Sequence, residues 1–181
     1  MTSGRLIAVV GASGVGKDSV LAGIHAAMPH LHLAQRVITR APELGGEDYV
    51  AVSVPEFDTM AEKGAFAMHW RAHGLRYGVP IAVKKRLEDG EDCLANFSRK
   101  ALAQANELFP HLLVLNITAQ PETLARRLAE RGRESESEIA KRLAEAEKPL
   151  PENLEVIHLS NDGPLEETIE HAVTLLQPVS V

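Results

Sequence analysis

A phosphate-binding loop is indicated by the segment Gly11-Ala12-Ser13-Gly14-Val15-Gly16-Lys17-Asp18-Ser19. Its glycines allow backbone N–H groups to converge on phosphate oxygens, and Lys17 adds a mobile positive charge for the β and γ phosphates. An apolar run at 6–10 precedes the segment, and a helix-compatible run at 20–28 follows it. Because a strand, a glycine loop and a helix are expected in that order, the pattern favours a nucleotide site over an ordinary glycine turn.

The position after the lysine departs from the usual pattern. Ser or Thr is expected there to hold magnesium, but the residue is Asp18, and Ser19 follows it. Carboxylate oxygen suits a hard cation, so we expect Asp18 to hold Mg²⁺ directly or through water, or Ser19 to take the hydroxyl role one position later. The alternative is that Asp18 is only a first-turn acid favoured by the helix dipole. The loop therefore predicts ATP and Mg²⁺ as cofactors.

Positive charge for a transferring phosphoryl group could come from arginines around a polar break at 132–137. These arginines are Arg126, Arg127, Arg131, Arg133 and Arg142. Two helices joined by this Gly- and Ser-containing break could close over ATP as a lid and exclude water. The alternative is a solvated pair of helices with i,i+4 ion pairs, for which Glu138 and Arg142 have the right spacing.

Candidate donors to an acceptor phosphate concentrate between residues 36 and 89. They are Arg40, Tyr49, Arg71, Arg76 and Tyr77. His69 and His73 lie among them and are more typical of packing or surface positions, and Trp70 is expected in the core. A phosphate acceptor is already anionic at neutral pH and needs no general base. An alcohol acceptor would need a positioned acid, and Asp48 is the candidate.

The elements that must position these residues follow from the hydrophobic pattern. Strands are predicted at 5–10, 33–38, 65–72, 93–97, 112–118 and 154–159, and helices at 17–28, 54–63, 80–89, 98–108, 121–131, 137–147 and 164–176. Residues 39–49 and 73–80 are predicted as a loop and a turn. A capping box at Ser53 and a cap at Ser137 are predicted to begin two of the helices. This alternation favours an α/β fold with a parallel sheet covered on both faces. We expect one domain, 1–181, with a core (1–35 and 90–181), an acceptor-binding insertion (about 36–89) and a lid (about 131–142).

Composition narrows the classes of function. The chain has 181 residues, 45% of them apolar, and a net charge of −6, which argues against a protein that binds nucleic acid through a broad basic face. The single cysteine, Cys93, excludes an internal disulfide and fits a reducing cytoplasm. The sequence has no signal-peptide pattern and no apolar run near the roughly 20 residues that span a bilayer. We therefore expect a cytoplasmic protein with a small-molecule partner. A homodimer is compatible with the sequence.

Several separated motifs together resemble the guanylate kinase family over nearly the whole chain. They are the loop 11–19, Thr39-Arg40, Gly46-Glu47-Asp48-Tyr49, the stretch 73–78, and the lid segments 127–132 and 139–143. The resemblance implies a three-layer P-loop NTPase fold. It also implies that Arg40, Tyr49 and Tyr77 hold the acceptor's phosphate. Lys17, Arg131 and Arg142 would then be the cations that act on the transferring group.

Three positions depart from the guanylate kinase pattern. The family's second acceptor arginine falls on Glu43, the acid that reads guanine falls on Met68, and a guanine-reading hydroxyl falls near Val79-Pro80. Methionine cannot accept hydrogen bonds from the guanine N–H groups, and each unpaired group would cost about 1–3 kcal/mol. The phosphate end of the site is therefore kept while the guanine end is lost, and GMP is not the expected acceptor.

A more specific resemblance is to the ribose 1,5-bisphosphate phosphokinase group of phosphonate metabolism. The matching motifs are Gly16-Lys17-Asp18-Ser19, Gly45-Gly46-Glu47-Asp48, the stretch 66–78, and Asn96-Phe97-Ser98-Arg99. This resemblance implies transfer of the γ-phosphoryl group of ATP to the 1-phosphate of ribose 1,5-bisphosphate, giving 5-phosphoribosyl 1-diphosphate. The additional cations Arg71 and Arg76 agree with a doubly anionic acceptor.

Two other functions remain open on the sequence. One is a kinase of the same fold that acts on GMP, another nucleotide or a different sugar phosphate. The other is a non-catalytic guanylate kinase-like binding module. The intact Gly16-Lys17 pair favours an enzyme over such a module.

Overall fold

A five-stranded parallel sheet runs through the centre of the computed structural model, which describes residues 3–41 and 47–177. Along the chain the elements are β1 (Leu6–Gly11), α1 (Lys17–Ala27), β2 (His32–Leu33), β3 (Val37–Ile38), β4 (Val50–Ala51), α2 (Val54–Glu62), β5 (Phe66–Ala72), β6 (Leu75–Pro80), α3 (Ile81–Glu88), β7 (Cys93–Asn96), a 3₁₀ turn (Arg99–Ala101), α4 (Leu102–Leu108), β8 (Leu112–Thr118), α5 (Pro121–Arg131), α6 (Glu136–Ala146), β9 (Val156–Ser160) and α7 (Leu165–Leu176). The strand order in the parallel sheet is β2-β7-β1-β8-β9.

Both faces of the parallel sheet are covered. Helices α1 and α7 pack on one face, where Ile24 and Leu176 are fully buried. Helices α3 and α4 pack on the other face together with a second sheet, and there Leu102 and Trp70 belong to one apolar cluster. Strand β1 is buried on both faces because residues 6–10 are all apolar, and each such large side chain contributes about 1.5–3 kcal/mol. The predicted α/β class with a covered parallel sheet is confirmed.

The second sheet has four strands in the order β4-β3-β6-β5 and lies between residues 37 and 80. Strands β5 and β6 form an antiparallel hairpin in which Trp70 lies opposite Tyr77. The chain reverses at His73 and Gly74, whose φ angles are 52° and 73°. Because two left-handed residues suffice to connect such strands, the predicted turn over 73–80 is wrong beyond residue 74. The division into core, insertion and lid stays a prediction.

The predicted strand at 33–38 is also wrong. Leu33 pairs with Leu94 in the parallel sheet, whereas Val37 pairs with Gly78 in the second sheet. The chain therefore leaves one sheet and enters the other within these six residues. Arg36 lies at the crossing and is 5% exposed, so the change of sheet carries a charged side chain into the interior.

Capping boxes begin two of the helices. In α2, the Ser53 hydroxyl accepts a hydrogen bond from the N–H of Glu56 at 3.2 Å, as the sequence predicts. In α6, the Ser135 hydroxyl accepts from the N–H of Glu138 at 3.3 Å. The predicted cap at Ser137 is wrong, because Glu138 lies three residues after Ser135 and completes the reciprocal box there.

Candidate active site

A cleft of about 620 Å³ opens at the carboxyl ends of β1 and β7. Its lining comes from the phosphate loop, the end of β7, the second sheet and α6. Charged and polar side chains in that lining include Lys17, Asp18, Arg36, Arg40, Glu47, Tyr77, Asn96, Arg99 and Arg142. The cleft therefore brings the predicted phosphate loop and part of the predicted acceptor site together. This is the edge of a parallel sheet at which α/β folds bind ligands.

The backbone of the phosphate loop is fixed by two side chains from distant elements. Asn161 donates to the carbonyl oxygen of Val15 at 2.7 Å. Arg127 donates to the carbonyl oxygens of Gly14 at 3.1 Å and Asn161 at 2.6 Å. Gly16 has a φ of 84°, and a Cβ there would lie 2.8 Å from the Asn161 amide nitrogen. Arg127, predicted as a charge for the transferring group, thus holds the loop in place.

Lys17 lies among charges of both signs in the cleft. Desolvation, with a smaller contribution from the nearby Arg36 guanidinium, lowers the pKa of Lys17 to about 8. The carboxylates of Asp18 and Glu47 oppose that shift by stabilising the ammonium form. Lys17 therefore changes its charge close to physiological pH when no phosphate is bound.

The lowered pKa predicts the pH dependence of ATP capture. We expect kcat/KM for ATP to fall about tenfold per pH unit above pH 8, because free enzyme with neutral Lys17 lacks the phosphate-binding charge. The measurement is the kcat/KM profile from pH 6 to 10. Lys17→Arg is the control, since its guanidinium stays charged and its residual activity should be level over that range. A level wild-type profile up to pH 10 would contradict the prediction.

A buried polar cluster lies beside Lys17 and consists of Arg36, Glu47 and Asn96. The guanidinium of Arg36 donates two hydrogen bonds to the Glu47 carboxylate, one of them from Nε at 2.7 Å. Asn96 donates from Nδ2 to Glu47 Oε1 at 3.0 Å and lies 3.5 Å from Asp18 Oδ1. Sequence reasoning missed all three as site residues. The signal for Arg36 is a charged residue in a predicted strand, and Glu47 and Asn96 lie within the motifs that carry the family resemblance.

The predicted acceptor residues are only partly brought together. Arg40 and Tyr77 line the cleft, and Tyr49 supports Arg40 through a 3.1 Å hydrogen bond and ring stacking at 4.5 Å. Asp48 is exposed and, within the described ranges, does not line the cleft, whereas its neighbour Glu47 does.

Two further predicted acceptor residues lie on the hairpin, outside the cleft lining of the described residues. Arg71 is exposed, and Arg76 opposes it in register and forms an ion pair with Asp58. His73 lines the cleft, and Trp70 is in the core as predicted, where it donates to the Ser98 hydroxyl at 3.1 Å. The motif positions Glu43, Gly45 and Gly46 lie outside the described residues.

Two arginines of the predicted lid segment and one acid connect α5, α6 and the phosphate loop. Arg142 donates to the Ser13 hydroxyl and, from Nε, to Glu134 Oε1 at 2.9 Å. Arg131 is exposed and reaches the same Glu134 oxygen at 3.6 Å, so it lies near Arg142 without lining the cleft. The alternative i,i+4 pair does not form, because Glu138 caps α6 and Arg142 turns towards the loop. Arg126 and Arg133 are exposed.

A parallel sheet carrying a glycine phosphate loop, with a cation-rich cleft beside it, defines a P-loop phosphotransferase. The chain belongs to the guanylate kinase family, whose model, described as "Guanylate kinase", matches residues 3–178. A crystal structure of guanylate kinase from Anaplasma phagocytophilum shares the fold, with a TM-score of 0.66, 18% identity, and coverage of 97% of this chain and 85% of that one.

Two curated relatives narrow the comparison within the family. The chain is 50% identical to ribose 1,5-bisphosphate phosphokinase PhnN from Ruegeria sp. (strain TM1040), over 96% of this chain and 92% of that protein. It is 42% identical to the protein of the same name from Agrobacterium fabrum, over 95% and 96% respectively. The resemblance to the ribose 1,5-bisphosphate phosphokinase group, which the motifs indicate, is confirmed.

Proposed function

We propose that this protein is a kinase that transfers the γ-phosphoryl group of ATP to the 1-phosphate of ribose 1,5-bisphosphate. The products are 5-phosphoribosyl 1-diphosphate and ADP, and the setting is phosphonate degradation. Identity of 50% to a protein named for that activity supports the proposal.

The observation that carries the choice of acceptor is the position of Met68. This residue is 2% exposed and packs in the apolar core, at the sequence position where guanylate kinases read guanine with an acid. Arg40 and Tyr77, which match the family's phosphate-holding residues, line the cleft. A cleft that keeps phosphate donors and lacks this base-reading acid favours a small phosphorylated acceptor over GMP.

The reaction needs positioning and positive charge more than it needs a base. An oxygen of the 1-phosphate forms a bond to the γ-phosphorus while the bond from that phosphorus to the ADP oxygen breaks. In the proposal, Lys17 and Arg142 stabilise the charge on the transferring group, and Arg131, which shares Glu134 with Arg142, adds positive charge at the end of α5. Arg40 and Tyr77 orient the acceptor, with Tyr49 supporting Arg40. Asp48, Arg71 and Arg76 stay predictions for the acceptor's outer end.

The oxygen donors of the phosphate loop fit a magnesium ion. Asp18 and Ser19 are exposed on the first turn of α1, and they offer carboxylate and hydroxyl oxygens. Within 3–41 and 47–177, no group of three acidic, His or Cys residues could cage a metal. Magnesium in kinases is held by one or two protein oxygens together with substrate phosphates, so this donor set suffices. The ion would neutralise phosphate charge, and Asp18 or Ser19 would hold it.

The remaining predictions concern location and assembly. No helix in the described part of the chain has the length and apolarity to cross a membrane. The cytoplasmic location, the homodimer and the lid boundaries stay predictions.

A substrate panel tests the proposed function. We expect ADP release with ribose 1,5-bisphosphate to have a kcat/KM at least about a hundredfold above that with GMP or ribose 5-phosphate. Phosphorus NMR of the product should show a diphosphate. Arg40→Ala should lower kcat/KM for the bisphosphate, while the exposed surface variant Lys84→Ala serves as the control. Comparable turnover of GMP would overturn the assignment.

A further inference from the structure

Asn96 carries a hydrogen-bond acceptor that has no partner within 3–41 and 47–177. The residue ends β7, lines the cleft and is 3% exposed, and its Oδ1 is buried without a hydrogen bond. Buried polar atoms in folded proteins are nearly always paired, so this oxygen points to a partner that arrives with a ligand.

The orientation of the Asn96 amide follows from its acidic neighbours. Nδ2 faces Glu47 Oε1 at 3.0 Å and Asp18 Oδ1 at 3.5 Å. Ionised carboxylates only accept hydrogen bonds, so rotating the amide would place its oxygen against two acceptors. Arg36 in turn fixes Glu47 through two hydrogen bonds. Oδ1 is therefore held as the acceptor, and its missing partner is either a hydrogen-bond donor or a cation.

The chemistry of the substrates limits what that donor is. Ionised phosphate oxygens accept hydrogen bonds, so neither the phosphates of ATP nor those of the acceptor can satisfy Oδ1. A ribose bisphosphate carries hydroxyls, and the one on C2 is next to the carbon that bears the reacting 1-phosphate. Lys17 and Asn96 line the same cleft, and Asn96 lies 3.5 Å from Asp18, the residue after Lys17. A phosphate placed for transfer at Lys17 therefore puts that hydroxyl in the same part of the cleft as Asn96.

We propose that Asn96 determines specificity for a ribose acceptor by accepting a hydrogen bond from its 2-hydroxyl at Oδ1. Glu47 and Arg36 are positioning residues that hold the Asn96 amide in the accepting orientation. This inference rests on the proposed function and deepens it, because it identifies the part of the sugar that the cleft recognises.

The test compares ribose 1,5-bisphosphate with 2-deoxyribose 1,5-bisphosphate as acceptors. We expect the wild-type enzyme to favour the ribose compound by about 5- to 150-fold in kcat/KM, the range for one hydrogen bond to a buried group. Asn96→Ala should reduce that preference to about twofold or less, by losing activity on the ribose compound alone. Asn116→Ala is the matched control, since Asn116 is also buried with an unpartnered Oδ1 but lies on β8 outside the lining of the cleft. It should keep the wild-type preference.

Several outcomes separate the inference from the function on which it rests. Equal turnover of the two acceptors by the wild-type enzyme overturns the inference and leaves the proposed function standing, and this comparison needs no variant to fold. An Asn96→Ala enzyme that loses activity on both acceptors equally also overturns it, since the partner of Oδ1 would then be a bound water or a cation. No wild-type turnover of ribose 1,5-bisphosphate overturns the proposed function itself.

Discussion

Lys17→Ala is expected to lower kcat/KM for phosphoryl transfer by about 10²–10³-fold, the typical cost of removing one preorganised group that stabilises charge in a transition state. The cleft excludes much of the water around this ammonium, so the charge acts strongly on a bound phosphate. The measurement is a coupled assay of ADP release at pH 7. Lys84→Ala, an exposed lysine on α3, is the control and should leave the rate unchanged.

The same variant should not lose stability. Because the pKa of Lys17 is about 8 in the folded protein and 10.5 in its ordinary state, the unfolded chain binds more protons between those values. The free energy of unfolding of the wild type should therefore rise with pH from about 8 to 10.5, and Lys17→Ala should lack this rise. Urea unfolding at several pH values measures it. If the folded Lys17→Ala enzyme still transferred the phosphoryl group at the full rate, the phosphate site would have to lie elsewhere.

Glu47→Ala is expected to destabilise the protein by about 3–5 kcal/mol, because it leaves the charge of Arg36 buried and unpaired. The side chains of the pair are 6% and 9% exposed, and Asn96 also loses its 3.0 Å acceptor. Asp48→Ala is the matched control: the neighbouring acid is exposed, so its loss should change the free energy of unfolding by less than about 0.5 kcal/mol. Urea unfolding compares the two variants.

A double variant separates the loss of pairing from the loss of packing. Arg36→Met with Glu47→Leu removes both charges and should recover most of the stability lost in Glu47→Ala, since apolar replacement of a buried ion pair is often neutral or favourable. Activity should not recover, because the Asn96 amide loses its fixed acceptor. If Glu47→Ala is as stable as Asp48→Ala, the Arg36 charge must reach water.

Most elements could be predicted from the sequence because their patterns are local. The glycine loop, the buried strand β1 and the capping box at Ser53 each depend on residues a few positions apart. The error at 33–38 has a different origin. A segment of six residues, four of them apolar, does not reveal whether it pairs within one sheet or crosses between two. That choice depends on partners as distant as Leu94 and Gly78.

The same contrast between local patterns and contacts of distant residues holds for the candidate site. Lys17, Arg40 and Tyr77 could be predicted because they lie in recognisable motifs, and the structure places all three in the cleft. The interactions of Glu47 with Arg36 and Asn96 span 11 and 49 positions in the chain, which no local pattern records. Motif spacing also does not distinguish which of two neighbouring acids faces the cleft.

The bonds from Arg127 to the phosphate loop determine how a lid could move. They tie α5 to the loop backbone, so α5 cannot swing without disrupting the nucleotide site. The next position at which the backbone could bend is Gly132, directly after α5. Its φ is 64°, and a Cβ there would meet nothing within 4 Å. A closure of the predicted lid would therefore turn at Gly132, so that α6, with 11 residues and a length of about 16 Å at about 1.5 Å per residue, would move Arg142 relative to the phosphate loop.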